Sequence, residues 1–118
     1  MDQHLYPHTT RELAQGRREL APETHNAFRA FGQRVFAAGA LPEKTKQLIA
    51  VAVAHVTQCP YCIRGHTKAA MEKNATEQEI MEAIWVAAEM RAGAAHAHSV
   101  LAMEAITHIR KERFRNEE

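Results

Sequence analysis

The distribution of apolar residues along the chain predicts a protein made of helices. Apolar side chains recur at spacings of three and four, as at Phe28, Phe31 and Val35, so they share one face of a helix. The predicted helices cover residues 10–19, 22–38, 42–57, 60–74, 76–92 and 94–111; the first has the weakest pattern, and Gly93 separates the last two. The expected fold class is therefore all-α, with five to six helices.

Two segments carry more specific signals. Residues 48–56 are apolar on all sides, which is typical of a fully buried central helix. Thr76 and Glu79 have the spacing of a capping box, in which each residue caps the other's amide at the start of a helix. Asn74, just before them, is expected to end the preceding helix in the left-handed conformation.

Length and charge limit the classes of protein that remain. The 118 residues suit a single domain, 1–118, with an N-terminal arm at 1–9 and a charged tail at 112–118. Fifteen Lys and Arg against 14 Asp and Glu argue against nucleic acid or a membrane surface as a partner. The chain lacks a signal peptide and an apolar run of about 20 residues, so we expect a cytoplasmic protein. Its 22 alanines favour closely packed helices and self-association.

The two cysteines form the motif C-x-x-C-x-x-x-H with a histidine. We expect Cys59 at the N-cap of a helix and Cys62 in its first turn, where the free amides and the helix dipole favour a thiolate. His66 lies one turn after Cys62 on the same face. A dithiol beside a base has the components of a thiol redox centre, in which one thiolate attacks and the other forms a disulfide.

Other interpretations of the cysteine pair remain open. A zinc site would need a fourth ligand from dispersed histidines such as His55, His96 or His98. Two inert, buried cysteines are a further alternative. A thioredoxin fold is disfavoured, because no alternating strand pattern flanks the motif.

Three segments together resemble a known family: 41–50 (LPEKTKQLIA), 59–66 (CPYCIRGH) and 75–80 (ATEQEI). They are similar to the carboxymuconolactone decarboxylase family, and specifically to its alkylhydroperoxidase D-like branch. The resemblance implies an all-α homotrimer or homohexamer that reduces a peroxide substrate, uses an external thiol or dithiol reductant and requires no cofactor or metal. It also implies that Cys62 reacts with peroxide, Cys59 resolves the product and His66 belongs to a proton relay.

The chain departs from the family pattern at Gln47. The family usually has a glutamate there, and a glutamine can orient His66 but cannot accept a proton at neutral pH. Glu43 and His55 are possible substitutes, whereas Tyr61, between the cysteines, is not a proton shuttle near pH 7. Two other functions stay open: decarboxylation of a small lactone acid, and a redox-sensing dithiol that closes without turnover.

Overall fold

Five helices form the structure, a computed structural model that describes residues 5–117; residues 1–4 and 118 lie outside the description. They are α1 (Arg11–Leu20), α2 (Pro22–Phe36), α3 (Glu43–Thr57), α4 (Pro60–Glu72) and α5 (Glu77–Glu117). No strand occurs in the described range, so the predicted all-α class is confirmed. Of the predicted N-terminal arm, residues 5–9 precede α1 and are not helical.

The helix boundaries follow local capping. Thr76 and Glu79 form the predicted capping box: the Thr76 amide donates to Glu79 Oε1 at 2.8 Å, and the Glu79 amide donates to Thr76 Oγ1 at 3.1 Å. Asn74 has φ 70°, the predicted left-handed conformation just after α4. Thr10 caps α1 by accepting from the Leu13 amide at 3.2 Å. These boundaries were predictable because every cap joins residues close in sequence.

The predicted break at Gly93 is wrong. Helix α5 continues through this glycine and is 41 residues long. A glycine costs only about 1 kcal/mol relative to alanine inside a helix, and alanines at 92, 94 and 95 favour the helical state around it. The charged tail is helical as well, up to Glu117.

The core lies where α3 packs between α4 and the first half of α5. Its buried side chains are those of Val51, Ala70, Ala75 and Ile80, with Leu48 and Ile84 packed at the edge. Helix α3 is central, as predicted, but it is not buried on all sides. Ile49 and Val53 remain 47% and 52% exposed, because the side of α3 that faces α2 borders a cavity instead of a packed helix.

Two ion pairs hold the start of α3. Lys44 Nζ lies 2.7 Å from Glu79 Oε2 at the start of α5, and Glu43 Oε2 lies 2.6 Å from Lys73 Nζ at the end of α4. The hydrogen bond from Lys44, followed by that from the Thr76 backbone, lowers the pKa of Glu79. Hydrogen bonding to Glu43 raises the pKa of Lys73. Both pairs are partly exposed, so each contributes little to stability.

The second half of α5 is exposed along its whole length in the described part of the chain. Arg91, in the first half of the helix, donates from Nη1 to the Val56 carbonyl oxygen of α3 at 3.3 Å. Every residue from 94 to 117 is exposed, and the described chain is 72 Å along its longest axis. Within the described residues, no helix combines the length and the hydropathy that a membrane span requires.

Candidate thiol redox site

The two cysteines form a disulfide at the N-terminus of α4. Cys59 is the N-cap residue and Pro60 begins the helix, where a proline has no intrahelical amide bond to lose. The Cys62 amide donates to Cys59 Sγ at 3.2 Å, and the two Cα atoms are 5.2 Å apart. Both residues are half-buried. The free amides and the dipole of this helix end would favour a thiolate once the disulfide is reduced.

His66 is oriented by Gln47 across the contact between α3 and α4. Its Nδ1–H donates to Gln47 Oε1 at 2.8 Å, and the Gln47 side chain is buried. An amide oxygen accepts hydrogen bonds only, so this contact places the proton of neutral His66 on Nδ1. The lone pair is then on Nε2, which has no hydrogen-bond partner in the described part of the chain. His66 therefore has the tautomer of a base that acts through Nε2.

The ring of Phe36 covers one face of His66. The two rings are stacked, with centroids 5.0 Å apart and an interplanar angle of 29°. Phe36 is the last residue of α2, and Lys46 binds the carbonyl oxygens on either side of it: Nζ lies 2.8 Å from Val35 O and 2.6 Å from Ala37 O. A cation at the carbonyl end of a helix is favourable. Lys46 thus fixes the end of α2 against α3, and Phe36 with it.

Cys62 and His66 both open onto one cavity of about 420 Å³. The other lining residues come from α2 and α3 and are mostly apolar: Val35, Phe36, Lys46, Ile49, Ala50, Val53, Ala54 and Thr57. Cavities of this size, with few polar groups, are typical of sites for small organic molecules. The sulfur and the imidazole are thus presented together in an apolar surrounding.

The structure brings the four predicted site residues together: Cys59 bonds to Cys62, and Gln47 binds His66 beside them. The alternative bases have other partners. Glu43 pairs with Lys73. His55 binds the Val51 carbonyl oxygen, at 2.8 Å, within its own helix.

Three further residues lie near the four site residues: Tyr61, which was considered from the sequence, and Phe36 and Lys46, which were not. Tyr61 packs edge-on against Tyr6 of the N-terminal arm, with ring centroids 6.1 Å apart. Phe36 and Lys46 line the site but were not predicted from the sequence. The available signal was weak: Lys46 adjoins Gln47, and Phe36 follows the last residue of the apolar stripe of α2.

Residues 5–117 contain no group of three or more His, Cys, Asp or Glu side chains suited to hold a metal ion.

Fold and site together define an all-α protein that presents a C-x-x-C disulfide and a histidine to an apolar cavity. The family model for the carboxymuconolactone decarboxylase family matches residues 22–105. The chain therefore belongs to the carboxymuconolactone decarboxylase family.

Three relatives are similar to this chain, and one of them is named as a member of the same family. A structure from Methanobacterium thermoautotrophicum has 38% identity and a TM-score of 0.67, covering 71% of this chain and 94% of that one. A carboxymuconolactone decarboxylase family protein from Legionella pneumophila, in its apo form, has 39% identity and a TM-score of 0.62, covering 67% and 70%. "Uncharacterized protein 4 in cox locus" of Paracoccus denitrificans is 63% identical over 84 residues, 71% of this chain and 76% of the relative.

Proposed function

We propose that the protein is a thiol-dependent peroxidase. The observation that carries the proposal is the Cys59–Cys62 disulfide, whose Cys62 end shares an apolar cavity with His66. In the reduced protein, the Cys62 thiolate attacks one peroxide oxygen and the O–O bond breaks. Cys62 becomes a sulfenic acid, and the other oxygen leaves as an alcohol or water after taking a proton. The apolar lining favours an organic hydroperoxide.

Cys59 then completes the oxidation of the protein. Its thiol attacks the Cys62 sulfenic acid, a water molecule leaves and the disulfide forms. An external thiol or dithiol supplies two electrons and two protons to restore both thiols, so turnover requires a reducing compartment such as the cytoplasm. His66 accepts the Cys62 proton at Nε2 and returns it to the leaving oxygen. Gln47 keeps His66 in the tautomer that this transfer needs.

Peroxide consumption by single-cysteine variants tests this proposal. With a dithiol reductant in excess, Cys62→Ser should lower turnover by roughly 10³-fold, because the attacking sulfur is lost. Cys59→Ser is the matched control: once the dithiol is removed, the reduced variant should consume about one peroxide per Cys62 and stop at the sulfenic acid, since no resolving thiol remains. Full turnover by Cys62→Ser, or no peroxide consumption by the reduced native protein, would exclude a peroxidase.

Two other functions predict different results. Gln47, in the place of the usual glutamate, favours a redox-sensing dithiol, for which a single stoichiometric oxidation without turnover is expected. The family assignment favours decarboxylation of a small lactone acid. That activity should persist after both thiols are alkylated, whereas peroxide reduction should not.

We also propose that copies of this chain associate through the outer half of α5, as a homotrimer or homohexamer. Ile106 and Ile109 are 41% and 46% exposed there, although both side chains are apolar. Isolated helices in water are marginal even when their sequence favours the helix. Burying this apolar face against other copies would supply the missing stabilisation.

A further inference from the structure

In the described part of the chain, His66 contacts an aromatic ring and an amide but forms no ion pair with a carboxylate. Gln47 binds Nδ1, Phe36 stacks on the ring face, and no ion pair involving His66 occurs among residues 5–117. The positive charge that His66 acquires when it takes the Cys62 proton therefore has no negative partner among the described residues apart from the thiolate. A neutral amide oxygen alone is a weaker partner for that charge than a carboxylate.

An aromatic ring offers a second means of stabilising the imidazolium. The face of a phenyl ring carries negative electrostatic potential, and a cation within about 6 Å of its centroid is attracted to it. The centroid separation of 5.0 Å and the near-parallel rings meet this condition. The attraction strengthens where water is excluded, and both residues here are half-buried.

We propose that Phe36 is a positioning residue that stabilises the His66 imidazolium, and through it the Cys62 thiolate, in place of the absent carboxylate. The proton moves from Cys62 Sγ to His66 Nε2, which leaves a thiolate and an imidazolium with no change in oxidation state. Phe36 acts on the product of this transfer and exchanges no proton itself. The role in turnover rests on the proposed peroxidase function, but the proton transfer takes place in the reduced protein without peroxide.

Lys46 is the residue that keeps Phe36 in this position. Its Nζ binds the carbonyl oxygens of Val35 and Ala37, immediately before and after Phe36 in the chain. These bonds join the end of α2 to α3, the same helix that presents Gln47. Adjacent residues of α3 thus hold His66 from two sides: Gln47 by a hydrogen bond, and Lys46 through the Phe36 ring.

The rate at which iodoacetamide alkylates Cys62 in the reduced protein measures the thiolate directly, in a Cys59→Ser background so that one thiol reacts. Phe36→Leu keeps an apolar side chain but removes the ring. We expect it to slow alkylation about two- to tenfold at pH 7. At pH 10, where the thiol ionises without His66, no change is expected. Phe36→Trp, which retains an aromatic face, should restore the rate at pH 7.

A His66→Ala background separates this effect from a change in access or folding. There, Phe36→Leu should leave the pH 7 rate unchanged, because no imidazolium forms. Lys46→Met should lower the pH 7 rate in the same direction as Phe36→Leu, and it supplies the measurement if Phe36→Leu loses its helical circular dichroism. Because Lys46 is also a cation lining the cavity onto which Cys62 opens, only a loss that disappears in the His66→Ala background counts as an effect through Phe36. Equal losses at both pH values, an equal loss in the His66→Ala background, or no loss at pH 7 would overturn the proposal. Since no peroxide is used, these outcomes are independent of whether the native protein turns over peroxide.

Discussion

The inner and outer halves of α5 belong to one helix but have opposite surroundings. In the inner region, defined as residues 43–91, the first half of α5 packs against α3, and Ile80 and Ala87 are buried. In the outer region, residues 94–117, every side chain is exposed. Helix α5 is continuous through both regions. The two parts of α5 differ only in whether other helices pack against them. The stability of the inner region can therefore be attributed to packing within the chain, whereas the outer region requires another source.

The apolar pattern of α5 nevertheless continues from one region into the other. Apolar residues are separated by nearly whole numbers of turns, so they lie on one face: Ile80, Ile84, Ala87, Ala95, Ala102, Ile106 and Ile109. We call these residues the α5 stripe. Its inner members Ile80 and Ile84 belong to the core with Val51 of α3, and its outer members are all exposed in the described chain. Periodicity thus indicates which face is to be covered, but not which molecule covers it.

The largest expected effect concerns the outer part of the α5 stripe. The double variant Ile106→Asp and Ile109→Asp should weaken self-association by roughly 100-fold or more, because it would bury two unpaired charges between copies. Sedimentation velocity measures the shift to monomer. The matched control is Ala97→Asp with His108→Asp on the opposite face of the helix, which should retain the assembly. A native protein that sediments as a monomer would contradict the proposed assembly.

A second prediction compares the same substitution in the two regions. Val51→Ala removes two methyl groups from a fully buried position and should lower the free energy of unfolding by about 2–3 kcal/mol. Val100→Ala, at a position 66% exposed and outside the α5 stripe, should change it by less than about 0.5 kcal/mol. Urea unfolding at one protein concentration measures both. Equal changes would mean that the outer region is as tightly packed as the inner one.

A third prediction concerns Gly93, on the border between the regions, where we expect a small gain in stability. The space for a side chain is open there: an added Cβ would meet only the Glu89 carboxylate oxygens, at 3.6 and 3.8 Å. Gly93→Ala should therefore raise the free energy of unfolding by about 0.5–1 kcal/mol through helix propensity. Thermal unfolding followed by circular dichroism checks this. A lower midpoint would indicate that another molecule packs closely against Gly93.

The sequence predicts the features of this fold that depend on near neighbours. The capping box of Thr76 and Glu79, the left-handed Asn74 and the N-cap position of Cys59 each involve residues within a few positions of one another. The motif also predicts that Cys62 and His66 share a helix face, since four residues make about one turn. Gln47 was found through the family pattern, which relates residues distant in the chain.

The other contacts of the site depend on how the helices pack, and the local pattern does not contain that information. In the sequence, Phe36 only follows the last residue of the apolar stripe of α2, yet in the structure it stacks on His66 of α4. The sequence pattern indicates that Lys46 is a solvent-exposed charge in the first turns of α3. In the structure, its Nζ binds the backbone carbonyl oxygens of Val35 and Ala37 at the end of α2. The predicted break at Gly93 failed for a related reason: a local cost of about 1 kcal/mol does not end a helix that is continued on both sides.

The contacts that hold α3 differ in how they respond to ionic strength. The pairs of Lys44 with Glu79 and of Glu43 with Lys73 join charged, partly exposed groups, so added salt screens them. The hydrogen bond between Gln47 and neutral His66 joins two uncharged groups, of which Gln47 is buried and His66 is half-buried. Added salt therefore has little charge to screen there. In concentrated salt, the start of α3 should therefore loosen from its neighbours while the histidine keeps its orientation.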